Sequence, residues 1–141
     1  MEPAHGYGMY IKQISDYMDK DINRNLERHN LTHSQSRFLM ALFHRETQCA
    51  SLKQLENLFG VAQSTMAGIA VRLESKGLIV SFTDAQDRRI KHVQLTEAGR
   101  NVCQASHDAI LATENRLVSG LTGIERQIFL DLLQKVYQAV R

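Results

Sequence analysis

Tryptophan is absent from the 141 residues, proline occurs once, cysteine twice, and aromatic residues make up only 6%. Two cysteines as far apart as Cys49 and Cys103 exclude a disulfide framework and have no metal-ligand spacing. A single proline and eight glycines leave few helix breakers, so the composition favours helices, and the 43% hydrophobic content must build a mainly aliphatic core. No stretch approaches the ~18 uninterrupted apolar residues of a membrane span. The start, MEPAHGYGMYIKQISDYMDK, lacks a basic segment followed by an apolar run, so a soluble, cytoplasmic protein is expected. The histidines His5, His29, His33, His44, His92 and His107 are dispersed along the chain, and no metal or cofactor is expected. With no nucleophile–base–acid set and no phosphate loop, the sequence does not read as an enzyme. A net charge of +2 does not announce a polyanionic partner, so local placement must make that case.

What is present is organised around residues 52–96. Leu52, Leu55, Leu58 and Phe59 recur at three- and four-residue spacing, which predicts one buried helical stripe. Gly60 ends it, and Val61 is expected to turn back into the core. A second helix is expected from Ala62 or Gln63 to Ser75, with Met66, Ile69, Ala70 and Leu73 inward. Its other face carries Gln63, Ser64, Thr65, Gly68 and Arg72: amides and hydroxyls suited to base edges or phosphates, and a small residue permitting close approach. Lys76-Gly77 closes it with a cation and a left-handed cap. Strands are predicted over Ile79–Thr83 and Lys91–Leu95, separated by the polar tip Asp84-Ala85-Gln86-Asp87-Arg88-Arg89. The whole is a winged helix-turn-helix.

On either side the pattern is helical. Tyr10, Ile11, Ile14, Met18, Ile22 and Leu26 form the stripe of a helix over about Tyr7–Asn30. Thr32 with Gln35 makes the polar pair of a capping box before Phe38, Leu39, Leu42 and Phe43, and Ser51 is placed to cap the next helix. Thr96 opens a long helix to about Ser119, in which Ala98, Val102, Ala105, Ala109, Ala112 and Arg116 include small residues suited to close helix approach. Gly120 ends it. Thr122 and Glu125 cap the last helix, whose apolar positions Ile124, Ile128, Phe129, Leu132, Leu133, Val136, Tyr137 and Val140 make a wide stripe at the C-terminus. A small monomer has little left to cover that stripe, so a two-fold homodimer is expected.

DAQDRRIKHVQLTEAG, following RLESKGLI, resembles the wing and subsequent helix start of the MarR family of bacterial transcription regulators, and LTHSQSRFLMAL resembles that family's second-helix segment. The resemblance extends over nearly the whole chain. It implies a mainly α fold with a small β-hairpin wing, built as a winged helix-turn-helix DNA-binding region at 32–96 and a helical dimerisation region at 1–31 and 97–141. It also implies a short strand at Cys49-Ala50-Ser51. In the wing, Asp87 would brace Arg89 for the minor groove, with Arg88 and Lys91 on phosphates. Two positions depart from the family pattern: Ala62 stands where a capping Ser or Thr is usual, and Gln86 where an arginine is common. The implied function is a homodimeric repressor of a pseudo-palindromic operator, with double-stranded DNA and a second copy as partners. A small aromatic or anionic effector would sit near Tyr10, Ile14, Met18, Phe38 and Leu42. An activator would use the same surface. A winged-helix protein–protein interaction module, and a redox-responsive regulator using Cys49 or Cys103, are the alternatives.

Overall fold

The computed structural model describes residues 6–141. Residues 1–5, including His5, which the sequence reading assigns to the dimerisation region, lie outside the described residues. The elements run α1 (Tyr7–Arg28), α2 (His33–Phe43), β1 (Cys49–Ser51), α3 (Leu52–Phe59), α4 (Gln63–Ser75), β2 (Ile79–Thr83), β3 (Lys91–Leu95), α5 (Glu97–Leu117) and α6 (Gly123–Val140). The fold is mainly helical with a small antiparallel sheet, as expected.

Helix starts are fixed by the caps the sequence carries. Thr32 and Gln35 bond reciprocally at 3.1 and 3.2 Å, and Ser51–Gln54 and Thr122–Glu125 repeat the arrangement. Thr96 caps α5 through the Gly99 N–H at 3.0 Å. Gly60 (φ 63°) and Gly77 (φ 74°) supply the left-handed turns that end α3 and α4.

The sheet has strand order β1-β3-β2, which puts β3 in the centre and pairs Ala50 and Ser81 with Val93. Val93 and Leu95 point inward from it. They meet a core in which Phe38, Leu39, Leu42, Leu55, Met66, Leu73, Ile79 and Cys103 are each less than 2% exposed. Each large apolar side chain there stabilises the fold by roughly 1.5–3 kcal/mol. The wing is therefore not an appendage. Its central strand helps to close the core against α2, α3 and α5, while β2 packs against α4.

The start of α5 is locked to the end of α4. Thr96 donates its N–H to the Leu78 carbonyl (3.1 Å) and its hydroxyl to the Gly77 carbonyl (2.6 Å). Gly99 lies against that same Leu78 carbonyl so closely that any Cβ would collide with it. From the other side, Lys76 Nζ donates to Gln35 Oε1 (3.0 Å) and to the carbonyl of Asn30, a residue in the left-handed region at φ 53°.

Four expectations need correction. Leu58 is 66% exposed and Val61 37% exposed, so neither enters the core; the short α3 turns only Leu55 and Glu56 fully inward. α1 ends at Arg28 and α5 at Leu117, because Asn30 has already left the helical region and the chain turns at Val118. The buried face of α5 is Gly99, Cys103, Ser106 and Thr113, whereas Ala98, Ala105, Ala112 and Arg116 are exposed. Its partner α1 presents Asn25 and Asp21, so the seam is polar: Asn25 Nδ2 donates to Ser106 Oγ (2.9 Å) and Thr113 Oγ1 to Asp21 Oδ2 (2.8 Å). Gly120 lies in the turn after α5 but is not the residue that stops it, since among the described glycines only Gly60 and Gly77 have positive φ.

Candidate nucleic-acid interface

α4 buries Met66, Ala70 and Leu73 and leaves Gln63, Ser64, Thr65 and Arg72 exposed, with Gly68 half-buried between them. A Cβ at Gly68 would meet nothing within 4 Å, so that position is open to whatever approaches the helix. No side-chain bond caps the Ala62 end, which leaves the first N–H groups of α4 free of a side-chain acceptor at the dipole's positive end.

Two grooves flank this helix. One lies on its α2 side, where Ser64, Thr65, Gly68 and Arg72 face Thr32 and Ser34. The other lies between α4 and the wing. It is lined by Gln63, Ala67, Val71 and Glu74 of α4, by Lys53 and Glu56 of α3, and by Ser81, Thr83, Arg88, Arg89 and Lys91 of the hairpin. Four cations against two carboxylates make this second groove net basic, although the chain as a whole carries only +2. Glu74 Oε1 accepts the Ser81 N–H at 3.0 Å and so ties the wing to α4. Ser81 Oγ is buried there without a partner.

The wing tip is held by two carboxylates in series. Asp87 Oδ1 and Oδ2 accept the Arg89 Nε–H and Nη2–H, both at 3.0 Å, in a two-pronged pair. That pair holds the Asp87 carboxyl below its ordinary range and raises the Arg89 guanidinium further. Asp84 Oδ2 accepts the backbone N–H of both Gln86 and Asp87 at 3.0 Å, and Asp84 Oδ1 meets His92 Nε2 at 2.9 Å. The Asp84 carboxyl is lowered first by His92 and then by those two N–H groups. The Arg89 side chain remains 90% exposed while its carboxylate partner is 33% exposed. Its geometry is fixed and its outer face is free.

The sequence named Asp87, Arg88, Arg89 and Lys91 but missed Lys53 and Glu56 in the same groove, and missed Asp84 and His92 as supports of the tip. Asp84 was readable: an aspartate two and three residues before the N–H groups it accepts is the ordinary Asx-turn signal. His92 was not, because its partner lies across the hairpin.

The residues named for an effector are placed apart. Tyr10 and Ile14 lie on the exposed side of α1, 54% and 37% exposed, and Met18 is half-buried, whereas Phe38 and Leu42 are fully enclosed in the core. Phe38 also borders a small cavity near the α3–α4 turn, with Arg37 stacked over Phe59 at 5.0 Å. Among the described residues, no group of three or more His, Cys, Asp or Glu is set to hold a metal.

Residues 31–91 match the model of the MarR family. Among solved structures, a point mutant of S. aureus MepR is 25% identical with a TM-score of 0.85, over 97% of this chain and 100% of that one. The S. aureus MepR–DNA complex is 25% identical with a TM-score of 0.83, over 96% and 100% of the two chains. S. aureus MepR bound to ethidium bromide is 25% identical with a TM-score of 0.79, over 97% and 98%.

Proposed function

With residues 31–91 matching the MarR-family model and nearly all of the chain sharing the fold of MepR, which has been solved in complex with DNA, we propose that this protein is a homodimeric, sequence-specific transcription regulator acting in the cytoplasm. Its DNA-binding region is 32–96; the helices of 1–31 and 97–141 form the dimer. The observation that carries this reading is the Asp87–Arg89 pair. A surface ion pair adds little to stability, so an arginine locked in place and left 90% exposed serves something outside the chain. A guanidinium presented at the tip of a hairpin suits the negative potential of a narrow minor groove.

In this reading Gln63, Ser64, Thr65 and Gly68 meet the major groove and Arg72 a phosphate, while Arg88 and Lys91 hold the backbone beside the wing. A two-fold dimer presents two such units, and half-sites about 34–36 Å apart would admit both. The apolar face of α6, none of whose residues is buried in a single chain, supports the second copy. No helix of the described residues is long and apolar enough to cross a membrane. The ethidium complex of MepR supports a small effector, which would release the operator by favouring a dimer with the wrong helix spacing. The sign, repression, rests on the family resemblance. The redox alternative is disfavoured at Cys103, which is 1% exposed and whose thiol burial pushes up to about 11.

The test is binding to the DNA upstream of its own gene and to random DNA across a salt series. Operator binding should fall with a log–log slope near −0.9 per phosphate neutralised, and Arg89→Ala should weaken it while leaving the dimer intact. Salt-insensitive binding, or no preference for any sequence after selection from a random pool, would leave the protein-interaction reading.

A further inference from the structure

We propose that His92, acting through Asp84, is a positioning residue for the wing arginine. The inference rests on the DNA-binding reading of the wing. Asp87 can aim Arg89 only if its own backbone is held, and the loop from Asp84 to Arg89 has no strand pairing to hold it. It is held instead by side chains and two backbone bonds. Asp84 N–H donates to the Ile90 carbonyl at 2.9 Å and Ile90 N–H to the Asp87 carbonyl at 3.0 Å, which closes the loop. Asp84 Oδ2 gathers the N–H groups of Gln86 and Asp87 at its centre.

That carboxylate stays over the loop because its other oxygen is pinned. His92 Nε2 lies 2.9 Å from Asp84 Oδ1, and the imidazole is stacked on Phe82, its cross-strand neighbour, with ring centres 5.3 Å apart and planes 24° apart. Phe82 and His92 sit in the paired part of the hairpin, so the chain of contacts runs from rigid strand to exposed guanidinium: His92, Asp84, the Asp87 backbone, the Asp87 carboxylate, Arg89. Without the imidazole, Asp84 is free to rotate toward water and release the two N–H groups. His92 is not among the residues lining the groove, and its side chain is 24% exposed against 90% for Arg89. It therefore acts through Arg89.

The role makes a prediction that a structural or phosphate-contacting histidine would not. On a duplex selected from a random pool by the wild-type protein, His92→Phe, which keeps a ring against Phe82 but loses the donor, should weaken binding about three- to tenfold, the range that ordering one long side chain in advance is worth. In an Arg89→Ala background the same change should cost less than about twofold, because the group it positions is gone. His92→Gln, whose amide can donate to Asp84, should recover most of the loss. Asp84→Ala should behave as His92→Phe does, and in free protein both should shift and broaden the Arg89 Nε–H signal in nitrogen-resolved NMR. An equal loss in both backgrounds, or an undisturbed Arg89 signal, overturns the proposal. Should Arg89→Ala itself bind like wild type, the wing reading fails and this inference with it, a result distinct from the equal-loss case.

Discussion

Gly68 and Gly99 are both helical glycines, but they answer to different constraints. At Gly68 an added Cβ meets nothing, so Gly68→Ala should stabilise the fold by about 0.5–1 kcal/mol through helix propensity alone. The same methyl stands on the face proposed to enter the major groove, so affinity for the selected duplex should fall as the melting temperature rises. A parallel gain in both would remove Gly68 from the interface. At Gly99 the Cβ collides with the Leu78 backbone, where α5 is knotted to the end of α4, and Gly99→Ala should cost more than about 2 kcal/mol by overpacking. Chemical denaturation of the two variants side by side measures the contrast. Cys103 gives a separate check on the core: with its thiol raised from 9.0 to about 11, it holds roughly a hundred times less thiolate near pH 8 than an unshifted cysteine. Iodoacetamide followed by mass spectrometry should mark Cys49 first and Cys103 only after unfolding; early loss of Cys103 would mean the α5 face opens readily.

Between elements, the polar seam of α1 and α5 departs most from a simple apolar stripe. Arg116 reaches across it to Tyr17 at 3.0 Å and to Asp21, which also takes the Thr113 hydroxyl. The Asp21 carboxyl is lowered first by Thr113 and then by Arg116. A carboxyl lowered on folding contributes stability that is present above its ordinary pKa and lost as pH falls through the lowered one. Asp21→Asn should therefore be less stable than wild type near neutrality, with the gap narrowing below about pH 4. Thermal melts from pH 3 to 7 test this, and a gap that stays constant would place the effect in packing. The seam also marks where sequence reading stops. Both wing strands and the starts of α2, α3, α5 and α6 were legible, because capping residues and turn glycines act over three or four residues and leave local marks. The buried face of α5 was not: alanines drew the expected face one residue out of register, since the true partners of Ser106 and Thr113 are polar residues some 80 positions or more away in α1. Leu58 and Val61 misled for a related reason, as an apolar residue in a short helix need not be buried when Leu55 already fills the site. For the candidate interface, the outward polar residues of α4 could be read from the chain; the Asp84–His92 support could not, because hairpin register decides it.

At the scale of the molecule, α6 is the helix left without cover in a single chain. Ile124, Ile128, Leu132, Leu133, Val136, Tyr137 and Val140 are all between 45% and 78% exposed, and on α1 Tyr10 and Ile11 exceed 50%. Soluble monomers rarely display apolar surface on this scale, and each side chain covered would return up to roughly 1.5–3 kcal/mol. A second copy is the economical cover under the proposed reading, in which a two-fold operator would need two recognition helices, and Thr96 links the last wing strand directly to α5. Dimer geometry would then set the distance between the two copies of α4. Ultracentrifugation should find twice the 16.0 kDa chain mass, and the melting temperature should rise with protein concentration, as it does when folding and association are linked. Replacing Leu133 and Val136 together by lysine should yield a monomer that keeps its winged core, because neither residue is part of that core. That monomer should bind a half-site weakly and lose the steep preference for the full duplex. If it still dimerises and binds as wild type does, α6 faces some other partner, and the spacing of the recognition helices must be set without it.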